Sequence, residues 1–162
     1  MEVKNVAQKV LMVDPSKCTG CRTCEMACSL YNEQKCSPVL SRVRVIKFES
    51  KGMNFPTVCS HCSKPQCMSA CPAGAIVRDN VTGAVIINET DCIGCHKCLP
   101  SCPFGQINFH PEKKVAFKCH LCGGDPVCVK YCPSGALTYA FADEYMMSRR
   151  RGLHMKFTVM EE

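Results

Sequence analysis

Apolar and polar positions alternate most clearly in SRVRVIKF, residues 41–48, where Arg42 and Arg44 interleave with Val43 and Val45. A period of two predicts a half-exposed strand, one face on a core and the other in water. A second pattern, AIVRDNVTGAVIINETDC over residues 75–92, holds two β-rich runs separated by DNVTG. Turn residues between such runs predict a hairpin. SLYNEQK, residues 29–35, continues a helix begun just upstream. Past Ala140, DEYMMSRRRG predicts a short helix, acids in its first turn and arginines in its last as the dipole prefers, with Gly152 to stop it. HMKFTVM then sets Met155, Phe157 and Val159 against His154, Lys156 and Thr158. That strand is either an edge of the protein's own sheet or a tail that docks on a partner by strand addition.

These elements are short, and little is available to pack between them. The chain has 162 residues, no Trp, and only 7 Phe and 4 Tyr; its 46% hydrophobic content includes 17 cysteines. A chain of this length makes one ordinary domain or two very small ones, and one short of core needs disulfides or metal. Apolar runs such as VLMV and AVII are far too short to cross a bilayer. The N-terminus, MEVKNVAQKVLMVD, has no apolar stretch of the secretory kind. The expected setting is therefore cytoplasmic and reducing, where dense cysteine means metal rather than disulfides.

Sixteen of the seventeen cysteines fall into four tetrads: Cys18, Cys21, Cys24 and Cys28; Cys59, Cys62, Cys67 and Cys71; Cys92, Cys95, Cys98 and Cys102; Cys119, Cys122, Cys128 and Cys132. Two Cys-x-x-Cys pairs build a zinc site when a longer loop separates them. Here three thiols sit at i, i+3 and i+6 in the first and third tetrads, so the loop wraps something wider than one ion. This is the bacterial [4Fe-4S] run, C-x2-C-x2-C-x3-C-P. The third tetrad matches it through Pro103. The second and fourth keep Pro72 and Pro133 but widen the middle gap, and the first has Ser29 in place of proline. CPAGAI, CPFGQI and CPSGAL repeat proline, glycine and an aliphatic residue, where Gly74, Gly105 and Gly135 permit a turn at positive φ or a close backbone approach.

In a two-cluster ferredoxin the fourth cysteine of one run ligates the other cluster, so tetrads pair crosswise. The hairpin between Cys71 and Cys92 joins the second and third tetrads, leaving the first to pair with the fourth. The ligand sets are then Cys18, Cys21, Cys24 and Cys132; Cys28, Cys119, Cys122 and Cys128; Cys59, Cys62, Cys67 and Cys102; Cys71, Cys92, Cys95 and Cys98. Pairing first with second and third with fourth is the rival arrangement; it changes the sets but not the ligands. The fold expected is α+β: two ferredoxin-like units of two [4Fe-4S] clusters, one inserted in the other, with short helices and β-hairpins. The outer unit takes residues 1–57 and 104–142, the inner unit 58–103, and a helix and strand tail 143–162.

The order of tetrads, the C-x2-C-x4-C-x3-C-P second run and the CPxG tails resemble the four-cluster electron-transfer subunits of molybdenum and tungsten pterin oxidoreductases. The resemblance covers roughly residues 8–140 and implies the same crossed ligation. The short fourth run, with 5 residues between Cys122 and Cys128, is most similar to small subunits of tungsten aldehyde oxidoreductases and class II benzoyl-CoA reductases. Related subunits serve hydrogenases, formate dehydrogenases and carbon monoxide dehydrogenases. The resemblance implies four [4Fe-4S] clusters relaying single electrons to a larger catalytic subunit. The far end would meet a ferredoxin, a flavin subunit or another copy of the chain.

The remaining features add little. The formal charge is +6, but four clusters at roughly −2 each would bring it to about −2. Lys17, Arg22, Lys64, Lys97, Lys118 and Lys130 then read as local compensation, and no nucleic-acid reader motif is present. His61, His96 and His120 lie in complete tetrads, so they are expected as N–H donors near sulfur or as surface imidazoles. Cys36 reads as a plain reduced thiol. No phosphate loop, dinucleotide fingerprint or nucleophile elbow is present, so the chain is not expected to be an enzyme with its own substrate site.

Overall fold

The computed structural model of the chain describes residues 9–147. Among these, eight strands form four antiparallel pairs: β1 (Lys9–Val13) with β8 (Leu137–Phe141), β2 (Arg44–Phe48) with β3 (Met53–Thr57), β4 (Ile76–Arg78) with β5 (Val85–Ile87), and β6 (Asn108–Phe109) with β7 (Ala116–Phe117). The α-helices α1 (Thr23–Glu33), α2 (Gln66–Ser69), α3 (Cys98–Ser101) and α4 (Val127–Lys130) accompany them, with a further helical stretch at 142–147. The protein is thus a mixed fold of short helices and small hairpin sheets.

Helix length follows from one residue after each fourth cysteine. The helices α2, α3 and α4 have 4 residues each. They stop before Pro72, Pro103 and Pro133, since proline lacks the N–H and disfavours helix in the residue before it. Ser29 stands at that position in the first tetrad and lets α1 run for 11 residues. Its side chain is fully buried, with Oγ donating to the Met26 carbonyl at 3.1 Å and accepting from the Ser37 N–H at 3.1 Å. The helix ends where Gln34 turns to φ 53° and returns its N–H to the Leu30 carbonyl. SLYNEQK is therefore helical as far as Glu33.

The expected hairpin forms with Ile76 opposite Ile87 and Arg78 opposite Val85. Asp79 shapes its turn by accepting the N–H groups of Val81 and Thr82. SRVRVIKF becomes a strand only from Arg44, with Val43 and Val45 buried. Arg42 departs from the alternation. It precedes the strand and is only 8% exposed, because it reaches back to Glu33 at 3.1 Å. Of the C-terminal pattern, residues 142–147 are helical; the rest of that helix and the HMKFTVM strand lie outside the described residues.

Two apolar cores form, each mixing cysteine with aliphatic side chains. One gathers Cys24, Cys28, Val43, Val45, Cys128 and Leu137. The other gathers Cys67, Ile76, Val85, Cys98, Ile107 and Ala116. Correspondingly, α1 packs on α4 and α2 on α3. Among the described residues no helix is long and apolar enough to cross a membrane.

Candidate iron–sulfur centres

Four thiols face a common cavity in three places. Cys18, Cys21, Cys24 and Cys132 line one of about 280 Å³, its opening to solvent included, bordered by Val45, Pro56 and Leu137. Cys59, Cys62, Cys67 and Cys102 line one of about 370 Å³, with Val85, Ile107 and Lys118. Cys71, Cys92, Cys95 and Cys98 line one of about 340 Å³, with Ile76, Ile87 and Ala116. The remaining four are also mutual neighbours. Burial drives the Cys128 thiol pKa up, and the nearby charges of Cys119, Cys28 and Cys122 push it further. We refer to the groups beginning with Cys18, Cys28, Cys59 and Cys71 as first to fourth. Cys36 is exposed and lies in a separate groove beside Met26, Leu30 and Tyr31.

The loops achieve this by turning backbone N–H groups inward. In the loop from Cys92 to Cys95, Gly94 sits at φ +67°, and a Cβ there would lie 2.6 Å from the Lys114 carbonyl oxygen. His61 and Leu121 occupy the same place before a second cysteine and accept positive φ, at 45° and 58°. Their N–H groups point at the preceding thiol, His61 to Cys59 Sγ at 3.4 Å and Leu121 to Cys119 Sγ at 3.5 Å. The strain is of the kind held at functional sites. This position was not singled out from the sequence, where only two of the four loops show a glycine there. Further N–H donors are Arg42 to Cys28 Sγ at 3.3 Å, Gln106 to Cys102 Sγ at 3.4 Å and Ala116 to Cys92 Sγ at 3.5 Å. After the fourth cysteines, Gly74, Gly105 and Gly135 adopt positive φ as expected.

Burial pushes Cys24 up to about 12, Cys98 to about 11 and Cys119 to about 12. At neutral pH these thiols keep their protons unless a cation replaces them. The Thr23 hydroxyl holds the exposed Cys21 below its ordinary value by a hydrogen bond to sulfur. Among the described residues no three His, Cys, Asp or Glu side chains converge as a single ion would require. A set of four soft thiolates around a space wider than one ion fits an iron–sulfur core.

His96 is a surface imidazole, as expected, whereas His61 and His120 depart from expectation. Nδ1 of His61 accepts the Val85 N–H at 3.0 Å, and Nδ1 of His120 accepts the Cys122 N–H at 2.9 Å. His96 stacks on Phe109, ring centroids 3.9 Å apart. Two of the three rings thus brace the loops through backbone donors, and none is seen to donate to a cysteine sulfur. Burial, followed by the charge of Lys118, holds His61 down to about 3, so its ring is neutral. With Nδ1 accepting, the proton sits on Nε2, which is buried and unpartnered. Of the six cations read as compensation, Lys118 alone is buried.

The sequence profile of the 4Fe-4S dicluster domain matches residues 50–142, and that of the 4Fe-4S binding domain matches residues 11–29. The chain belongs to the 4Fe-4S dicluster family. This iron–sulfur protein is 42% identical over 123 residues to the polyferredoxin-like subunit of aliphatic sulfonate oxidoreductase from Pyrococcus furiosus, covering 75% of this chain and 70% of that one. It is 37% identical to protein NrfC of Escherichia coli K12, covering 81% of this chain but 64% of that protein's length. It is 35% identical to the thiosulfate reductase electron transfer subunit PhsB of Salmonella typhi, covering 88% and 80%. It is an iron–sulfur electron-transfer protein of the oxidoreductase-subunit type.

Proposed function

We propose that the dicluster protein holds four [4Fe-4S] clusters, one per thiol group, and relays single electrons between a redox partner and a larger catalytic subunit of the molybdenum or tungsten pterin type. The observation that carries this reading is the sorting of sixteen cysteines into four groups of four, three of them around a shared cavity. The sorting supports crossed ligation, first tetrad with fourth and second with third. The two apolar cores support a nested pair of units, an outer one built on the first and fourth tetrads and an inner one built on the second and third. Ile107 and Ala116 pack with the inner core, so the β6–β7 hairpin goes with the inner unit. We place the protein in the cytoplasm, with no substrate site of its own.

When bound, the clusters supply one-electron exchange. The chain's part is to hold them with saturated ligation, exclude water and aim N–H donors at sulfur, the levers that set potential. The groups also follow an order. Cys24 and Cys28 share α1, and the charge of Cys24 reaches Cys128. The charge of Cys59 reaches Cys119, joining second to third. The third and fourth groups share both inner runs. Only the two end groups contain an exposed ligand thiol, Cys21 in the first and Cys95 in the fourth. Electrons would then enter at one end and leave at the other. Beside the first group, Ile46, Phe48, Met53 and Phe55 are exposed on one face of the β2–β3 hairpin. Such an apolar patch suits the catalytic subunit as its occupant.

Anaerobic purification with iron and sulfide analysis tests the reading. About sixteen irons per chain, at four per cluster, are expected. Zinc, or about eight irons, would refute it. Co-purification with a pterin-containing subunit tests the partner.

A further inference from the structure

Lys118 is a cation with no acid to answer it. It is 4% exposed, and its Nζ donates to the carbonyls of Val85 and Cys119. Among the described residues no carboxylate pairs with it. Arg42, nearly as buried, has Glu33 at 3.1 Å and Glu89 at 3.7 Å. A buried ammonium without a counter-charge is costly, so folding would select against it unless negative charge lies close by. Among the described residues, the acidic groups lining the cavity it faces are cysteine thiols, thiolates once they hold a cluster. Lys118 lines the cavity of Cys59, Cys62, Cys67 and Cys102 and precedes Cys119 of the second group. It therefore stands at the join of the second and third groups, midway along the relay.

We propose that Lys118 is the shared counter-charge of the second and third centres and raises the reduction potential of both. The inference rests on the four-cluster reading. Each centre with its thiolates carries about −2 when oxidised and about −3 when reduced by one electron. That electron comes from a neighbouring centre or a one-electron donor and passes on to the next; no bond breaks and no proton moves. A fixed cation favours the more negative state, so the middle of the relay holds electrons more tightly than it would without Lys118. The side chain is a positioning residue for charge, since it touches no substrate.

The test is an EPR-monitored redox titration of the full chain, prepared anaerobically, comparing wild type with Lys118→Met, Lys118→Gln and Lys118→Arg. With iron content unchanged, the two neutral variants should weaken reduction of two centres at least tenfold, 59 mV for a one-electron couple. The other two centres should move by less than threefold, and Lys118→Arg should restore the wild-type values. A neutral variant with full iron and unmoved potentials overturns the proposal. So does loss of iron in both neutral variants, which would make Lys118 a packing residue. Wild-type protein that lacks four clusters would instead overturn the reading beneath it.

Discussion

Neutralising Glu33 should destabilise the protein far more than a surface change. Its side chain is 5% exposed and faces Arg42 at 3.1 Å, Lys113 at 2.9 Å and the His110 Nε2 at 3.4 Å. Arg42 is equally enclosed, stacks 5.7 Å over the Phe117 ring, and has Nε and Nη1 buried without partners. Glu33→Gln leaves that guanidinium with only Glu89, 3.7 Å away and 39% exposed. Breaking a buried pair from one side costs about 3–5 kcal/mol. At roughly 2–4 °C per kcal/mol for a chain of this size, the melting temperature should fall by about 6–20 °C. Thermal unfolding of the holoprotein at one fixed scan rate reads this. Removing both charges, in Glu33→Leu with Arg42→Met, should restore most of the loss, because no charge is left stranded. The pH dependence has a definite sign. Burial pushes the Glu33 carboxyl up, but the Lys113 hydrogen bond and the charges of Arg42, Lys113 and His110 outweigh it and hold the value below 4.5. Its contribution is thus fully present above pH 4.5 and lost as pH falls through the lowered native value. Wild type and Glu33→Gln should converge there. A loss under about 1 kcal/mol at pH 7 would mean that the pair behaves as a surface one, and a double variant no better than the single would refute the stranded-charge reasoning.

Cys36→Ser should leave iron content and every EPR signal unchanged; any lost iron would make Cys36 a ligand. Cys24→Ser and Cys132→Ser, though 108 residues apart in the chain, should perturb the same EPR signal, and different signals would refute crossed ligation. Gly94→Ala should cost the fourth centre its iron, because positive φ costs about 1–2 kcal/mol and the new Cβ meets the Lys114 backbone. Gly20→Ala should be milder, since there the neighbour is the Asn54 side chain, which can rotate away. Equal iron loss in the two would contradict this.

Much of the centre was legible from spacing alone. Thiols at i, i+3 and i+6 can reach one guest whatever the rest of the chain does, because the loop that carries them is short. The proline after three of the four tetrads and its replacement by Ser29 likewise decided helix length locally. The β4–β5 hairpin announced itself through its turn. Other features required distant segments to meet. The β1 and β8 strands pair Lys9 with Phe141, and no local pattern marks either as the partner of the other. Arg42 looked like an outward strand residue until Glu33, fixed at the end of α1, drew it inward. His61 and Leu121 take a conformation that their side chains resist, and the sulfur beside each N–H gives the reason.

Six basic residues flanking the thiols were equivalent on the page, yet folding buried Lys118 and left the other five in water. The sequence by itself determined how many thiols there are and which could share a guest, because those distances are set by covalent geometry over a few residues. Tertiary structure alone decided which charge is desolvated, because burial depends on what packs above a residue.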